Sequence, residues 1–465
     1  MRMKKFDEHV TKVVITGSGV AARSARHALE DVEGHSHYDI TVIRRDDHQV
    51  VPCALPYTFN TLKTGQITIG DESWEKVGSR IVNDEVVEID REKQQVQLKS
   101  GMMLPYDRLI MATGASPIKP PVQGIETGNV EFVEKNADKI ASIKEKAISS
   151  HRVVVIGGGF IGVELADELG KASKSEVHLI EAEDRLLPKA FDETFSKSVE
   201  NGLTDYGVRV HTEKLVKQVG FPEDNADEED SKYEFRQVVL SDGSEISADL
   251  VICAIGVVPN NTLAKQAGLE TDPRDGGVIT DDFYYTSDSK ILACGDCVAK
   301  RDAITGQSSG VRLASTAAME GKLAGLNIEK RLIPQNNGVI NLFSTKVNGV
   351  GYAAAGITEQ EAKNRGYETI NLEGKFPDRH PRAFNDMTAN YVKLIYRKMD
   401  GVLLGGQAMG SNNVGEFINA VGLAVTQKMT AYQLAANQYA THPLLTTGPT
   451  GYPLLKLSVD AVKQL

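Results

Sequence analysis

Two glycine-rich turns, each placed between an apolar strand and a helical stretch, constrain the fold of this chain more than any other feature. The first turn, G-S-G-V-A-A, follows the apolar run 12–16 and has small residues at Gly17, Gly19 and Ala22. In such a turn the first glycine permits a tight bend, the second lets a pyrophosphate approach the backbone, and the third small residue lets helix and strand pack closely. The pattern predicts a Rossmann-like dinucleotide-binding unit at this point.

The second turn carries the complete pattern. Gly157, Gly159 and Gly162 occupy the three small-residue positions, and the next apolar strand, 177–180, is followed by Glu181. A carboxylate at this place accepts hydrogen bonds from both ribose hydroxyls of NADH and repels the additional phosphate of NADPH. We therefore expect the second unit to bind NADH in preference to NADPH.

The first unit departs from the pattern at the position of its acid. The strand at 39–43 is followed by Arg44 and Arg45, and carboxylates come only at Asp46 and Asp47. Either Asp46 reaches the ribose of the dinucleotide or the adenosine end is held differently.

The second unit interrupts the first. Apolar strands at 107–114 and 249–256 leave the first unit and return to it, and strand-like and helical segments alternate without a nucleotide motif from about residue 335 onward. The predicted fold class is α/β, with two Rossmann-like dinucleotide-binding domains and a C-terminal α+β dimerisation domain. We expect a solvated hairpin tip at the acidic loop 222–232. The predicted boundaries are 1–120 and 249–332 for the first domain, 121–248 for the inserted domain, and 333–465 for the C-terminal domain.

Charge and hydropathy exclude several classes of function. The formal net charge of −11 is opposite to that of a nucleic-acid-binding surface. Since we find neither an apolar run of the roughly 18–20 residues needed to span a membrane nor an apolar region at the start, we expect no membrane segment and no secretory signal. Four cysteines do not make a disulfide scaffold in a chain of 465 residues, which favours a cytoplasmic protein with reduced thiols.

Cys53 is the candidate redox residue. It is the only cysteine in the first half of the chain and follows Pro52, a residue type that suits the first turn of a helix. A thiol at a helix N-terminus faces unpaired N–H groups, which can lower its pKa from about 8.5 to roughly 4–7. The alternative is a buried structural cysteine.

A second cysteine pair surrounds a Gly-Asp sequence at the end of a short strand. Cys294 and Cys297 have C-x-x-C spacing, but they flank Gly295 and Asp296, so a working dithiol is the less favoured interpretation. An aspartate at a strand end can hold a polyol chain. Cys253 lies in an apolar strand and is expected to be inert.

The order of these motifs resembles that of the FAD-dependent pyridine nucleotide-disulfide oxidoreductases over nearly the whole chain. The sequence C-A-L-P-Y at 53–57 resembles the single-cysteine branch. That branch includes coenzyme A-disulfide reductases, NADH:polysulfide or persulfide reductases, NADH oxidases and NADH peroxidases. The resemblance implies a homodimer that uses FAD and NADH, with coenzyme A as a further candidate ligand, and it implies no metal site.

The resemblance also implies roles for individual residues. FAD would lie along Gly17, Gly19, Ala22, Thr113, Gly114, Gly295 and Asp296. NADH would lie along Gly157, Gly159, Gly162 and Glu181, with Phe160 as the aromatic gate over the flavin. The catalytic residues would be Cys53, Glu164 as the acid near the flavin edge, and Tyr439 offered by the partner subunit. Substrate contacts would come from Tyr57 and, toward the phosphates of coenzyme A, from Arg23 and Arg26.

One position divides the branch by function. Oxidases and peroxidases commonly carry a histidine in the first turn, where this chain has Val20. An apolar residue offers no acid–base help to oxygen chemistry, which favours reduction of a disulfide, persulfide or polysulfide through Cys53. The alternatives are an NADH oxidase in which Cys53 cycles through sulfenic acid, and a redox-sensing flavoprotein with slow turnover.

Overall fold

The fold is described from a computed structural model, which describes residues 10–33, 38–46, 48–76, 78–126, 130–220, 236–335, 337–381 and 386–465. The acidic loop 222–232 and Asp47 lie outside the described residues.

The first third of the chain forms one strand–helix–strand unit followed by short elements. In order these are β1 (Thr11–Thr16), α1 (Val20–Glu33), β2 (Tyr38–Arg44), β3 (Gln49–Val50), the 3₁₀ turns Pro52–Ala54 and Pro56–Phe59, α2 (Thr64–Ile67), β4 (Thr68–Ile69), α3 (Glu72–Glu75), β5 (Arg80–Asn83), β6 (Val86–Asp90), β7 (Gln95–Leu98), β8 (Met103–Pro105), β9 (Arg108–Met111) and β10 (Ala115–Pro117).

The middle of the chain repeats the strand–helix–strand theme and then returns to the first unit. Its elements are β11 (Val130–Phe132), α4 (Ala137–Ser149), β12 (Arg152–Ile156), α5 (Phe160–Ala172), β13 (Glu176–Ile180), α6 (Glu193–Thr204), β14 (Arg209–His211), β15 (Val216–Gly220), β16 (Arg236–Leu240), β17 (Glu245–Ala248), β18 (Leu250–Cys253), β19 (Val257–Pro259), α7 (Thr262–Gln266), β20 (Ile291–Ala293), the 3₁₀ turn Gly295–Cys297, β21 (Lys300–Arg301), β22 (Ser308–Ser309) and α8 (Ala314–Leu326).

The last part is built around long strands. Its elements are β23 (Leu342–Val347), β24 (Val350–Gly356), α9 (Glu359–Asn364), β25 (Thr369–Pro377), β26 (Ala389–Arg397), β27 (Leu403–Gly410), α10 (Val414–Thr426), α11 (Ala431–Ala436), the 3₁₀ turn Pro449–Gly451 and α12 (Pro453–Val462).

Two parallel sheets of five strands have matching orders. The first is β20-β9-β1-β2-β5 and the second is β11-β18-β12-β13-β14, so the strand before each glycine turn (β1 or β12) is central in its sheet. Each sheet is covered on one face by helices and on the other by a three-stranded antiparallel sheet, β6–β8 or β15–β17. Because buried parallel strands need cover on both faces, their residues are almost uniformly apolar.

Close approach of α1 and α8 explains the small residues of the first helix. A Cβ atom on Gly321 would lie 2.1 Å from the carbonyl oxygen of Ala21, and one on Gly325 would lie 2.4 Å from that of Ala25. The third small residue of the first turn, Ala22, is fully buried in the same core.

The C-terminal part is an antiparallel sheet in the order β23-β24-β27-β26-β25. Helices α10, α11 and α12 cover one face of this sheet. The other face joins a core that also contains side chains of α5, of α6 and of residues 50–67. The predicted fold class is therefore confirmed, whereas the residue boundaries of the domains stay predictions. In the part of the chain that the structure describes, every helix is too short or too polar to cross a membrane.

Candidate active site

The two glycine turns have nearly the same geometry. Gly17 has φ +104° and Gly157 has φ +107°, a region that favours glycine. A Cβ atom on Gly17 would lie 2.3 Å from the carbonyl oxygen of Ala112, and one on Gly157 would lie 2.7 Å from that of Ala254. The first glycine of each pattern is therefore required by the backbone.

The second glycine of each turn borders open space. A Cβ atom on Gly19 or Gly159 would meet no atom within 4 Å, and these residues directly precede α1 and α5. The first N–H groups of a helix have no intrahelical partner and attract anions. Both places fit a pyrophosphate, whereas a Cβ atom on Gly162 would lie only 1.8 Å from the carbonyl oxygen of Gly157, so Gly162 serves packing.

Glu181 is held at the rim of the second turn. Its carboxylate accepts hydrogen bonds from the backbone N–H of Gly158 at 2.7 Å and of Glu183 at 2.8 Å. A carboxylate has about four acceptor positions, so these two bonds fix its direction without exhausting it. Its role toward the ribose of NADH stays a prediction.

Asn260 directly follows β19, where the chain returns from the inserted unit to the first unit. The sequence analysis did not select it as a site residue. Its side chain donates to the carbonyl oxygen of Thr113 at 2.8 Å, and its backbone carbonyl accepts from the Thr113 hydroxyl at 2.9 Å. Its N–H donates to the carbonyl oxygen of Gly114 at 3.0 Å. These bonds set the Thr113-Gly114 turn, where Gly114 has φ +70°.

The Gly295-Asp296 turn rests on a buried ion pair. Glu320 accepts from the N–H of Gly295 at 2.8 Å and from Lys300, and Lys300 also donates to the carbonyl oxygen of Gly295 at 2.6 Å. Arg312 donates to the carbonyl oxygen of Asp296 at 3.0 Å. The turn is therefore held by three charged side chains that the sequence analysis did not select.

Asp296 has one carboxylate oxygen in use and one available. Its Oδ2 accepts from Lys135 Nζ at 2.6 Å, whereas its Oδ1 is buried and has no hydrogen-bond partner among the described residues. A buried acceptor without a partner costs about 1–3 kcal/mol, which a hydroxyl donor would offset. The site fits the polyol chain of FAD at this point.

The adenosine end of the first unit differs from the usual pattern. Arg44 is buried, and its guanidinium donates to Asn83 at 2.8 Å and to Asp71 at 2.8 Å. Asp46 accepts from the Asn136 amide at 2.9 Å, which ties it to the start of α4. One hydrogen bond leaves the Asp46 carboxylate with further acceptor positions, so both alternatives for the adenosine end stay open.

Cys53 lies in the 3₁₀ turn Pro52–Ala54, which begins at Pro52 as predicted. The predicted lowering of its pKa is wrong. The residue is exposed, yet burial of its thiol and the negative charge of Glu164 raise the pKa of Cys53, and Lys135 opposes them only in part. A turn of three residues has too few aligned peptides to act as a full helix dipole.

Glu164 is the titratable group beside this cysteine. Its side chain is 8% exposed, and its Oε1 accepts from the Thr345 hydroxyl at 2.6 Å and from the Tyr57 hydroxyl at 3.4 Å. Burial raises the pKa of Glu164 to about 7, against the opposing effect of these two hydrogen bonds. Glu164 can therefore hold or release a proton near neutral pH. Thr345, from the C-terminal sheet, was missed because its distance along the chain gives no local signal.

Phe160 is the first residue of α5 and is half-buried. Its ring centroid lies 4.4 Å from that of Phe343 on β23, with the two planes tilted by 58°. An aromatic side chain therefore stands at the N-terminus of the helix predicted to bind NADH, and its role as a gate stays a prediction.

The structure does not support Arg26 as a phosphate ligand. Its guanidinium is buried, donates to Ser79 Oγ and lies 3.1 Å from the Glu30 carboxylate, and burial lowers its pKa. This prediction is wrong because the helix face at Arg26 turns into the protein. Arg23, on the same helix, is half-buried, and its role stays a prediction.

Tyr439 makes its contacts within the C-terminal part of the chain. Its hydroxyl donates to the carbonyl oxygen of Leu434 at 2.9 Å, and its ring stacks on Tyr452 with centroids 4.7 Å apart. The structure does not place it with Cys53 of the same chain. Its proposed action on the partner's site stays a prediction.

The remaining cysteines are buried. Cys294 and Cys297 are fully buried free thiols, and burial raises the pKa of both. Cys253 is 2% exposed in β18. Exchange needs an accessible sulfur, and Cys53 is the exposed cysteine of the four, so it is the one suited to exchange although its pKa is also raised.

Comparison with protein families gives two matches that together span most of the chain. Residues 11–321 match the family described as pyridine nucleotide-disulphide oxidoreductase. Residues 343–450 match the dimerisation domain of the same description.

Individual relatives include oxygen- and sulfur-reducing enzymes. The chain is 28% identical over 448 residues to an NADH oxidase of Enterococcus faecalis, covering 93% of this chain and 95% of that protein. It is 29% identical over 409 residues to an NAD(P)H coenzyme A polysulfide/persulfide reductase of Pyrococcus horikoshii, covering 86% and 88%. The solved structure of an NAD-dependent persulfide reductase from A. fulgidus matches with a TM-score of 0.85 at 29% identity, covering 97% and 83%.

Proposed function

The chain belongs to the pyridine nucleotide-disulphide oxidoreductase family, and from this premise we propose that it carries electrons from NADH through FAD to Cys53 and on to a sulfur substrate. The substrate is a disulfide, persulfide or polysulfide, with coenzyme A disulfide or persulfide first among them. For a disulfide, NADH, one proton and RS–SR′ give NAD⁺, RSH and R′SH. The observation that carries the proposal is the accessible Cys53 thiol beside Glu164, whose pKa is about 7.

The residues that would hold the two cofactors follow from the turns. The open space at Gly19 and the unpaired Oδ1 of Asp296 suit FAD, and the open space at Gly159 with the carboxylate of Glu181 suits NADH. Bound FAD supplies a two-electron relay between the nicotinamide and a sulfur atom. The protein would orient the bound flavin between the nicotinamide and the sulfur atom.

Proton transfer at the sulfur site is the step of the proposed reaction that side chains of this protein perform directly. The Cys53 thiolate attacks one sulfur of the substrate, and the departing thiolate needs a proton. Glu164 can supply that proton near neutral pH because burial raises its pKa to about 7. The hydroxyls of Tyr57 and Thr345 hold the Oε1 atom of Glu164 in place while it gives and regains the proton.

The first turn supports sulfur over oxygen as the acceptor. Val20 begins α1 and is half-buried, and its aliphatic side chain has no proton to offer a peroxide. Because some relatives are named NADH oxidase, NADH oxidation by oxygen is the second candidate function. The relative from Pyrococcus horikoshii is named as a coenzyme A polysulfide/persulfide reductase.

The assembly and location follow as further parts of the proposal. The match of residues 343–450 to a dimerisation domain supports a homodimer, in which Tyr439 would serve the partner's sulfur site. Four free cysteines suit a reducing compartment such as the cytoplasm.

An anaerobic assay tests the function. NADH oxidation is followed with coenzyme A disulfide, coenzyme A persulfide and polysulfide in turn, for wild type, Cys53→Ser and the matched control Cys253→Ala. We expect turnover that Cys53→Ser abolishes and Cys253→Ala retains. Oxidation of NADH only in air would replace the proposal with the NADH oxidase. Flavin reduction by NADH without turnover on any acceptor would favour the redox sensor.

A further inference from the structure

Helix α5 carries three residues of interest on one face. Phe160, Glu164 and Glu168 are spaced four residues apart, and residues with this spacing lie one above the other on a helix. Phe160 stands at the end proposed for NADH, and Glu164 stands beside Cys53. Glu168 has no part in the chemistry described so far, yet its side chain is fully buried.

Glu168 holds the backbone that follows Cys53. It accepts from the N–H of Thr61 at 2.7 Å and from the Thr61 hydroxyl at 2.9 Å. The cysteine segment, residues 51–62, is short and internally bonded, and the N–H of Leu62 donates to the carbonyl oxygen of Tyr57 at 2.8 Å. Thr61 therefore lies in the same hydrogen-bonded segment as the turns that carry Tyr57 and Cys53.

The same helix is fixed to the C-terminal sheet by the neighbouring carboxylate. Asp167 is fully buried and accepts from the N–H of Asn348, in the turn between β23 and β24, at 3.1 Å. Lys171 donates to Asp167 and to Glu168, so one cation serves both buried acids. Helix α5 is thereby anchored on one side, and on the other it is linked to the cysteine segment by the two short bonds from Thr61 to Glu168 and by the longer bond from Tyr57 to Glu164.

We propose that Glu168 is a positioning residue that couples occupation of the NADH site at the start of α5 to the placement of Cys53, through its two hydrogen bonds to Thr61. The coupling rests on the proposed function in that it takes the start of α5 as the NADH site. A rigid helix transmits a small shift at Phe160 to Glu168, about 12 Å away at 1.5 Å per residue. Hydrogen bonds to a buried carboxylate are strong and directional, so the cysteine segment follows the helix.

The test measures Cys53 directly. Purified holoenzyme is alkylated with iodoacetamide, with and without NAD⁺, which occupies the NADH site without reducing the protein, and modification of Cys53 is followed by mass spectrometry. Thr61→Val removes the hydroxyl but keeps the N–H, Thr61→Ser restores the hydroxyl, and Glu168→Gln keeps one acceptor. Thr204→Val is the matched control, because Thr204 is exposed and its hydroxyl bonds to the Asn201 carbonyl of its own helix end.

We expect NAD⁺ to change the alkylation rate of wild-type Cys53 about fivefold or more. The change should fall below about twofold in Thr61→Val and persist in Thr61→Ser and Thr204→Val. Glu168→Gln should keep part of the effect of NAD⁺ on the alkylation rate, because one acceptor remains. A full NAD⁺ effect in Thr61→Val overturns the proposal, as does a wild type that binds NAD⁺ without any change in alkylation.

The readout is independent of the sulfur acceptor. If wild type shows the coupling but reduces none of the sulfur substrates, the proposed function fails while the positioning role stands. If NAD⁺ does not bind to wild type, both fail.

Discussion

The hydroxyl of Thr345 donates a 2.6 Å hydrogen bond to the Glu164 carboxylate, although 181 positions separate the two residues along the chain. Tyr57 donates to the same oxygen from the first part of the chain. The acid beside Cys53 is therefore assembled from three separate regions of sequence, and its proton affinity depends on how these regions pack.

Thr345→Val should raise the pKa of Glu164 above about 7, because the Thr345 hydroxyl stabilises the charged carboxylate. The shift should be about one unit, the equivalent of a hydrogen bond of about 1.4 kcal/mol. The carboxyl band of Glu164 in infrared titration, identified by its loss in Glu164→Gln, reports the midpoint. Thr426→Val, whose hydroxyl bonds to its own helix at Gly422, is the control. An unchanged midpoint would remove Thr345 from the site.

Glu164→Gln should lower the pKa of Cys53, because the Glu164 charge is one of the causes that raise it. The midpoint of iodoacetamide alkylation against pH should fall by roughly one unit. Turnover with a sulfur acceptor should nevertheless drop by about a hundredfold, because the proton donor is gone. A slower enzyme with an unchanged thiol midpoint would show that Glu164 does not act on Cys53 through its charge.

Stability should depend on pH through Glu164. Its pKa in the folded protein is about 7, above roughly 4.3 in an unfolded chain, so the folded state binds the proton more tightly. The protonated acid favours folding most below pH ~4.3, and this advantage is lost as pH rises to 7. The free energy of unfolding should therefore fall by about 3 kcal/mol more in wild type than in Glu164→Gln between pH 4 and pH 8. Urea titrations at pH 4 and pH 8 measure this decrease in both proteins. An equal decrease in wild type and Glu164→Gln would contradict the raised pKa.

Lys135→Met should raise the pKa of Cys53 further, because the Lys135 charge lowers it and Lys135 also neutralises Asp296. We expect alkylation at pH 8 to slow about threefold or more, as half a pH unit or more of shift implies for a thiol titrating above that pH. Lys135→Arg should restore the rate, and Lys197→Met, a surface change on α6, should leave it unaltered. Equal rates in all four proteins would exclude Lys135 from thiolate stabilisation.

Glu181→Ala should reduce the preference for NADH over NADPH by about tenfold or more, the value of one charge-assisted hydrogen bond. Because Glu181 also holds the N–H groups of Gly158 and Glu183, KM for NADH should rise as well. The ratio of kcat/KM for the two nucleotides measures the effect, with Glu183→Ala as the control. A preference unchanged by Glu181→Ala would place the ribose elsewhere.

The fold was predictable because its defining signals are local. Gly17 and Gly157 stand where backbone geometry leaves no room for a side chain, and the apolar strands around them show in the sequence as continuous runs. The glycine spacing is visible locally, although the carbonyl oxygens that exclude a side chain at these positions belong to Ala112 and Ala254, far along the chain. The same reasoning located Pro52 at the start of the turn that carries Cys53.

The electrostatics of the site were not predictable in this way. The pKa of Cys53 is raised by burial of its thiol and then by the charge of Glu164, and no spacing rule connects these two parts of the chain. Arg26 was misread because a helix pattern gives its neighbour Glu30 on the same helix but not the distant Ser79, to which its guanidinium donates. Asn260 contacts Thr113, and Lys135 contacts Asp296. Both contacts are between residues far apart in the sequence, so no sequence motif indicates them.

The ion pair between Lys300 and Glu320 beneath the Gly295-Asp296 turn also limits how this sequence can drift. Both side chains are almost completely buried, and removing one partner of such a pair typically costs about 3–5 kcal/mol. A lineage that loses either residue first must pass through a poorly folded intermediate. We therefore expect descendants of this chain to exchange the two positions together or to keep both.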